Sequence, residues 1–220
     1  MNEQGPRTVL CTIASGPHRE LFELARPSFE VFSALHGYEL FVSHDDLGAG
    51  RPPAWGKVVL LRKLLDSYDR VVWVDSDAVI VNPSADIFVG LSRWTPLGLV
   101  VHRYGGLEVP NAGVMAILSC RWAKRFLDRV WAAERFVNHK WWDNAAVIEL
   151  LGYDVSSPQR STRRQTLNRR RVRELDLAWN SIPGDCSGDP RIVHFPGMSQ
   201  AERLAGMRLA ATKWPSRPFG

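Results

Sequence analysis

The chain has 220 residues, 45% hydrophobic and 23% charged, with a formal net charge of +5 at pH 7 and a pI near 9.4. That is the balance of an ordinary globular chain of about one domain, and its basic surplus suits phosphorylated or polyanionic ligands without singling one out. No apolar run reaches the roughly 18 residues a membrane span needs, no N-terminal signal peptide is visible, and Cys11, Cys120 and Cys186 are too few and too scattered for a disulfide framework, so a cytoplasmic protein is expected.

Taken in order, Thr8 to Ser15 predicts a first strand ending in the loop signal Ser15-Gly16-Pro17. A helix follows from about His18 to His36, with a break near Pro27, with Phe29, Phe32 and Leu35 on one face and with Gly37 as its stop. Tyr38 to Ser43 is a second strand, and Trp55-Gly56-Lys57 opens a helix from Val58 to Tyr68. Arg70 to Ile80 is a buried, valine-rich strand interrupted by Asp75-Ser76-Asp77. Later strands are expected at Gly98 to Val101, Val114 to Leu118 and Arg191 to Phe195, with a glycine-rich loop from Tyr104 to Pro110. Helices are expected from about Arg121 to Arg135, capped by Ser119, from Asp143 to Leu151, and from Ala201 to Ala211. Strands and helices alternate without an internal repeat, which predicts a single α/β layered domain.

The aspartates carry the first chemical argument. Ligands of open α/β sheets sit beyond the carboxyl ends of the strands, where Asp75 and Asp77 fall. If the chain stays extended through Ser76, its period of two puts both on one side, and two such carboxylates call for a hard cation such as Mg²⁺ or Mn²⁺. An acidic turn closing a buried strand explains the stretch equally well. No G-x-G-x-x-G follows any strand, so a dinucleotide-binding fold is poorly supported.

With Trp55-x-Lys57 and Tyr68-x-x-Val71-Val72-Trp73-Val74 ahead of it, Asp75-Ser76-Asp77 resembles the metal-binding motif of retaining GT-A glycosyltransferases. The likeness is closest to family 34, the galactosyl- and mannosyltransferase group, with family 8 a near second. Further pieces agree in order: His36-Gly37-Tyr38, Asn111-Ala112-Gly113-Val114-Met115, Trp142-Asp143-Asn144, Leu177-Ala178-Trp179-Asn180 and His194-Phe195-x-Gly197. The resemblance covers about residues 8 to 200. It implies a GT-A fold, a single Rossmann-like domain whose mixed, mostly parallel central sheet is flanked by helices. Residues 1–110 would form the nucleotide and metal half, 111–200 the donor-sugar and acceptor half, and 201–220 a closing helix and tail.

The resemblance also implies a reaction: transfer of a hexose from a nucleotide sugar, UDP-linked in most such families, to a hydroxyl of a glycan, glycolipid or natural product, with the anomeric configuration kept. GDP stays open. Without a visible membrane anchor the implied enzyme is bacterial. Asp75, Asp77 and His194 would hold Mn²⁺ or Mg²⁺, the nitrogen ligand favouring Mn²⁺. Ala14 and Ser15 would lie near the base, Lys57 near a phosphate, and Ser76 within the motif itself. Asn111, Ala112 and Gly113 would line the sugar pocket and Gly197 would close it. Asp143 would steady the anomeric centre without acting as nucleophile, and Asn144 stands where glutamine is usual. The plain alternatives are a solvated Lys57 in a first helical turn, Asn111 in a turn before a strand, and Asp143 as an N-cap.

Arginines 160, 163, 164, 169, 170, 171 and 173 read first as a solvated loop and second as a phosphate-facing lid or acidic-acceptor site; nucleic-acid binding lacks interleaved aromatics. One rival enzyme class is a Mg²⁺-dependent phosphatase of the haloacid dehalogenase type. Asp75 would then be its nucleophile, Asp77 its acid/base, and Gly184-Asp185-Cys186-Ser187-Gly188-Asp189 its late acidic motif. A nucleotide-sugar-binding protein without catalysis is the third reading.

Overall fold

The computed structural model describes residues 5–156 and 166–212. The first half lays down β1 (Thr8–Ile13), α1 (His18–His36), β2 (Glu39–Ser43), α2 (Gly56–Leu64), β3 (Arg70–Val74) and β4 (Ala78–Ile80). The second adds β5 (Leu97–Tyr104), β6 (Leu107–Leu118), α3 (Arg121–Trp131), α4 (Trp142–Leu150), β7 (Val172–Glu174), β8 (Ile192–His194) and α5 (Gln200–Thr212). Six strands form one sheet in the order β2-β1-β3-β6-β5-β7, and β4 pairs with β8 in a separate two-stranded sheet. The pairings β1–β2, β1–β3 and β5–β7 are parallel, whereas β6 runs antiparallel to both β3 and β5, so the sheet is mixed and mostly parallel.

The period of two in the strands sorts residues onto two cores. Val9, Cys11, Val71 and Trp73 face one way, onto Trp55, Leu61, Phe126 and Ala145 of the α2, α3 and α4 side. Leu10, Val72 and Val74 face the other way, onto Phe22, Phe29 and Phe32 of α1 and Met207 of α5. Both faces being covered is why these strands read as nearly continuous apolar runs. Among the described residues, no helix is long and apolar enough to cross a membrane.

Several sequence expectations are corrected. Helix α1 runs unbroken through Pro27, because the aromatic face holding it to the sheet outweighs the roughly 3 kcal/mol an interior proline costs. Phe29 and Phe32 are buried but Leu35 is half exposed, since the face continues instead to His36, whose ring lies 4.5 Å from that of Phe32. The stop at Gly37 holds, at φ 67°. Arg70 to Ile80 is two strands in two sheets, separated by a turn that Ala78 N–H closes onto Asp75 O at 3.1 Å. Ser119 does not cap α3: its hydroxyl donates to Leu65 O, and Cys120 Sγ accepts from Ala123 N–H instead. The glycine-rich stretch is a tight hairpin at Gly105-Gly106, so that Pro110 and Asn111 belong to β6.

In the basic stretch, Arg169 to Arg171 form a short 3-10 turn before β7. There the Arg169 guanidinium lies over the Tyr153 ring and Arg171 donates to Arg93 O. Arginines 160, 163 and 164 lie outside the described residues.

Helix α5 docks through a close contact: a Cβ added at Gly206 would lie 2.4 Å from Cε1 of Phe195. Gly206→Ala is therefore expected to lower stability by about 1–3 kcal/mol, read as a fall in the urea midpoint, because the Phe195 ring is packed and cannot yield.

Candidate active site

The turn after β3 does what an extended chain was expected to do. Asp75 N–H bonds Gly113 O at 2.8 Å on β6, and Asp77 O accepts from Phe195 N–H at 3.1 Å beyond β8. These two backbone ties bring the aspartates to His194, which β4–β8 pairing sets opposite Ala78. One ligand atom each from Asp75, Asp77 and His194 lies within 4.8 Å of the others.

Each carboxylate spends one oxygen on the protein and turns the other inward. Asp75 Oδ1 takes Lys57 Nζ at 3.0 Å and Trp73 Nε1 at 2.7 Å, leaving Oδ2 at 3.5 Å from His194 Nε2. Asp77 Oδ2 meets Arg203 Nε at 3.2 Å, leaving Oδ1 at 3.3 Å from the same nitrogen. Two carboxylate oxygens and one imidazole nitrogen facing a common point fit a divalent cation, and Mn²⁺ accepts such a mixed set more readily than Mg²⁺.

Lys57 is no solvated lysine. Only 7% exposed, its ammonium lies 3.0 Å from Asp75 Oδ1, 3.5 Å from Asp143 Oδ2 and 3.1 Å from Ala112 O. Burial works against the charged amine, but Asp143 and Asp75, with Asp77 behind them, outweigh it and hold its pKa above the usual lysine range. Asp143 is the second residue of α4 and not its cap; it is 3% exposed, and its Oδ2 has no hydrogen-bond partner. Burial pushes its carboxyl pKa up, Lys57 opposes that, and Asp75 adds to it. For Asp77 burial acts in the same upward direction, but His194 and Arg203 outweigh it and hold the carboxyl below its ordinary value. Just ahead of Asp143, Trp142 is half exposed and takes a left-handed φ of 45°, a costly conformation for a side-chain-bearing residue.

Of the remaining sequence candidates, Asn111, Ala112, Gly113 and Asn144 join this cluster. Ala112 N–H donates to Asn144 Oδ1 at 2.9 Å, and Asn144 Nδ2 donates to Pro110 O at 3.2 Å, so Asn144 braces β6 against α4 with both ends of its amide. Asn111 Oδ1 accepts from Gly113 N–H at 2.7 Å inside the strand, not in a lead-in turn. A register shift between Leu99 and Val100 pairs Val100 with Asn111, which bulges 112–114 toward the site. Ser76 is buried and bonded to His18 Nδ1 at 2.9 Å, which ties the turn to the first residue of α1. Ala14 is buried at the end of β1, its carbonyl accepting from His44, while Ser15 O takes His18 N–H. Gly197, at φ 70°, turns the chain after β8 and is exposed.

Gly113 has a steric reason to be glycine. A Cβ there would lie 2.2 Å from His194 Cε1 and 2.6 Å from Nδ1. Gly113→Ala is expected to displace the ring, costing about 1–3 kcal/mol of stability and weakening divalent-cation binding more than tenfold, measured by urea melts and Mn²⁺ titration.

Four contributors went unassigned in the sequence. Trp73 could have been found, since it stands two residues before Asp75, next to the end of the strand that leads to it. Asn180 lay in a quoted stretch without a role. Arg203, which also donates to Phe195 O, and His18 carried no local signal.

Searches for relatives agree with this geometry. No protein-family model matches the chain. A rice protein, "Probable glycosyltransferase 4" of Oryza sativa subsp. indica, is 31% identical over an alignment of 111 positions that covers 46% of this chain and 22% of the rice protein. The chain thus spans about a fifth of the length of the curated relatives it matches. Among solved structures, a glycosyltransferase involved in glycosylation of the major capsid of PBCV-1 superposes with a TM-score of 0.67 at 17% identity, covering 93% of this chain and 100% of that one. The galactosyltransferase LgtC, in complex with donor and acceptor sugar analogs, superposes at 0.56 and 13% identity, covering 96% and 97%.

The fold is that of the GT-A glycosyltransferases.

This GT-A chain leaves the phosphatase reading without its frame. The Asp-bearing β3 is the third strand of the chain and not the first, and Asp185 of the supposed late motif is bonded to His102 Nδ1 at 2.9 Å and to Arg103 N–H at 3.1 Å.

Proposed function

We propose that this chain is a metal-dependent glycosyltransferase that moves a hexose from a nucleotide diphosphate sugar to an acceptor hydroxyl with retention of configuration. The observation that carries the reading is the meeting of Asp75, Asp77 and His194 beyond β3 in a GT-A fold. Bound there, Mn²⁺ or Mg²⁺ supplies Lewis-acid neutralisation of the charge that grows on the departing diphosphate. The chain's own groups do the rest. Lys57 fixes Asp75 and Asp143 relative to each other, and the Arg203 N–H groups not spent on Asp77 and Phe195 are offered to a phosphate oxygen. Asp143, paired with Lys57 through Oδ2, faces the positive charge that develops at the anomeric carbon; we assign no nucleophile.

A UDP-hexose donor rests on the family resemblance, as does family 34, with family 8, to which LgtC belongs, as the alternative. The acceptor is a glycan, glycolipid or small natural product. We place the enzyme in the cytoplasm because Cys11, Cys120 and Cys186 are all unpaired.

A thermal-shift titration with UDP and with GDP, each with Mn²⁺ and with chelator, tests the reading. Saturation at 100 times the dissociation constant adds about 2.7 kcal/mol. In a domain of this size that is a rise of roughly 5–10 °C. A rise with UDP that requires Mn²⁺ is the expected result. A rise with GDP alone would reassign the donor, and none with either nucleotide would sink the proposal.

A further inference from the structure

We infer that Asn111 and Asn180 are positioning residues that keep a proton on His194 Nδ1, held by Asn180 Oδ1, and so leave Nε2 as the ring atom turned toward Asp75 Oδ2 and Asp77 Oδ1. The inference deepens the proposed metal-dependent transfer and rests on that reading for its purpose, though not for its evidence.

The evidence is a chain of hydrogen bonds whose polarity is set at one end by a backbone group that can only donate. Gly113 N–H points at the Asn111 side chain at 2.7 Å, so the atom it meets must be the amide oxygen. Asn180 meets that same oxygen at 3.1 Å and must present its NH₂. The other end of Asn180 is then its carbonyl oxygen, which lies 3.0 Å from His194 Nδ1 and can only accept. Nδ1 therefore carries the proton. Turning either amide over would set oxygen against oxygen or N–H against N–H, so a single assignment satisfies every group.

Each member is held in place. Asn180 is fully buried at the end of the 3-10 turn Leu177–Asn180, which Asp176 caps by accepting from Ala178 N–H at 2.8 Å. The next residue, Ser181, ties that turn to β8 by accepting His194 N–H at 2.8 Å and donating to Ile192 O at 2.9 Å. Asn111 owes its direction to the β6 bulge, and the His194 ring, 2% exposed, lies on the bare Cα of Gly113. Three separate segments thus converge to aim one ring nitrogen. Partners of this kind fix the tautomer of metal-ligating histidines in general, and their loss typically costs about 10–100-fold in metal affinity.

The consequences differ between the two asparagines. Asn111 uses only its oxygen, as a double acceptor, so a carboxylate in its place preserves the chain. Asn180 both donates and accepts, and no carboxylate or apolar residue replaces it.

The test is long-range ¹H–¹⁵N correlation NMR of His194 in the metal-free protein, which reports the proton on each ring nitrogen. Wild type is expected to show a proton on Nδ1; an unprotonated Nδ1 would overturn the inference, and this measurement needs no variant to fold. Asn180→Leu is expected to lose the Nδ1–H signature and to bind Mn²⁺ at least about tenfold more weakly by electron paramagnetic resonance, whereas Asn111→Asp keeps the signature and stays within about twofold of wild type. Unchanged Mn²⁺ affinity in Asn180→Leu, or an Asn111→Asp loss as large as that of Asn180→Leu, would also overturn it. If wild type binds no Mn²⁺, the proposed function loses its metal while the Nδ1 proton still decides this inference.

Discussion

Lys57→Met is expected to destabilise the protein by about 3–5 kcal/mol at neutral pH, the largest stability effect of any single change considered. The substitution nearly preserves volume, so packing is not at issue. What is lost is the cation that two carboxylates share: Asp75 keeps Trp73 Nε1, but Asp143 is left in a buried site with an unbonded oxygen and a neighbouring negative charge. The deficit should depend on pH in a definite direction. Asp143 has a raised carboxyl pKa in the folded state already, and removing Lys57 raises it further. A folded state that holds a proton the unfolded chain has released loses stability as pH rises from the unfolded Asp value, about 3.9, up through the folded one. The gap between variant and wild type should therefore be widest at neutral pH, narrow toward acid, and narrow again in strong alkali where Lys57 itself loses its proton. Urea midpoints across pH check this, and a constant gap would mean that Lys57 matters only for packing.

Asp77→Asn is expected to have the largest effect on activity with a smaller one on stability. Turnover should fall on the order of 10²–10³-fold, the scale of losing one group that stabilises transition-state charge. The Mn²⁺-dependent part of any nucleotide thermal shift should vanish. Stability is spared because the group left behind has an outlet: the Arg203 side chain is 20% exposed and can turn to water. Lys57→Met offers Asp143 no such outlet. A metal-dependent thermal shift that survived in Asp77→Asn would remove this residue from the cation site.

The two aspartates stood out because their signal is local, an apolar strand ending in two acids one residue apart. His194 was reachable only through the Phe195-x-Gly197 pattern behind it. The sheet strands were legible because burial on both faces demands valine and leucine at successive positions, and Gly37 marked the end of α1 because a left-handed cap favours glycine. Pro27 misled, since local propensity argued for a break that tertiary packing overrode. The expectation of one long strand through Asp75 and Asp77 failed for a similar reason. Val79 and Ile80 have the same β-branched character as Val71 and Val72, and nothing in them says that they pair with β8 instead of extending β3.

The sequence by itself determined the alternation of strands and helices, the acidic end of β3, the glycine that stops α1 and, in outline, the GT-A architecture, because each depends on residues close together in the chain. Only the tertiary structure decided which partners those residues meet. Arg203 reaches Asp77 across 126 positions, Lys57 stands between Asp75 and Asp143, and Asn111 turns from a candidate sugar contact into an acceptor for Gly113 and Asn180. The physical reason is that charge pairing and hydrogen-bond polarity act over a few ångströms of space, and the spacing of residues along a chain does not record which of them folding brings within that range.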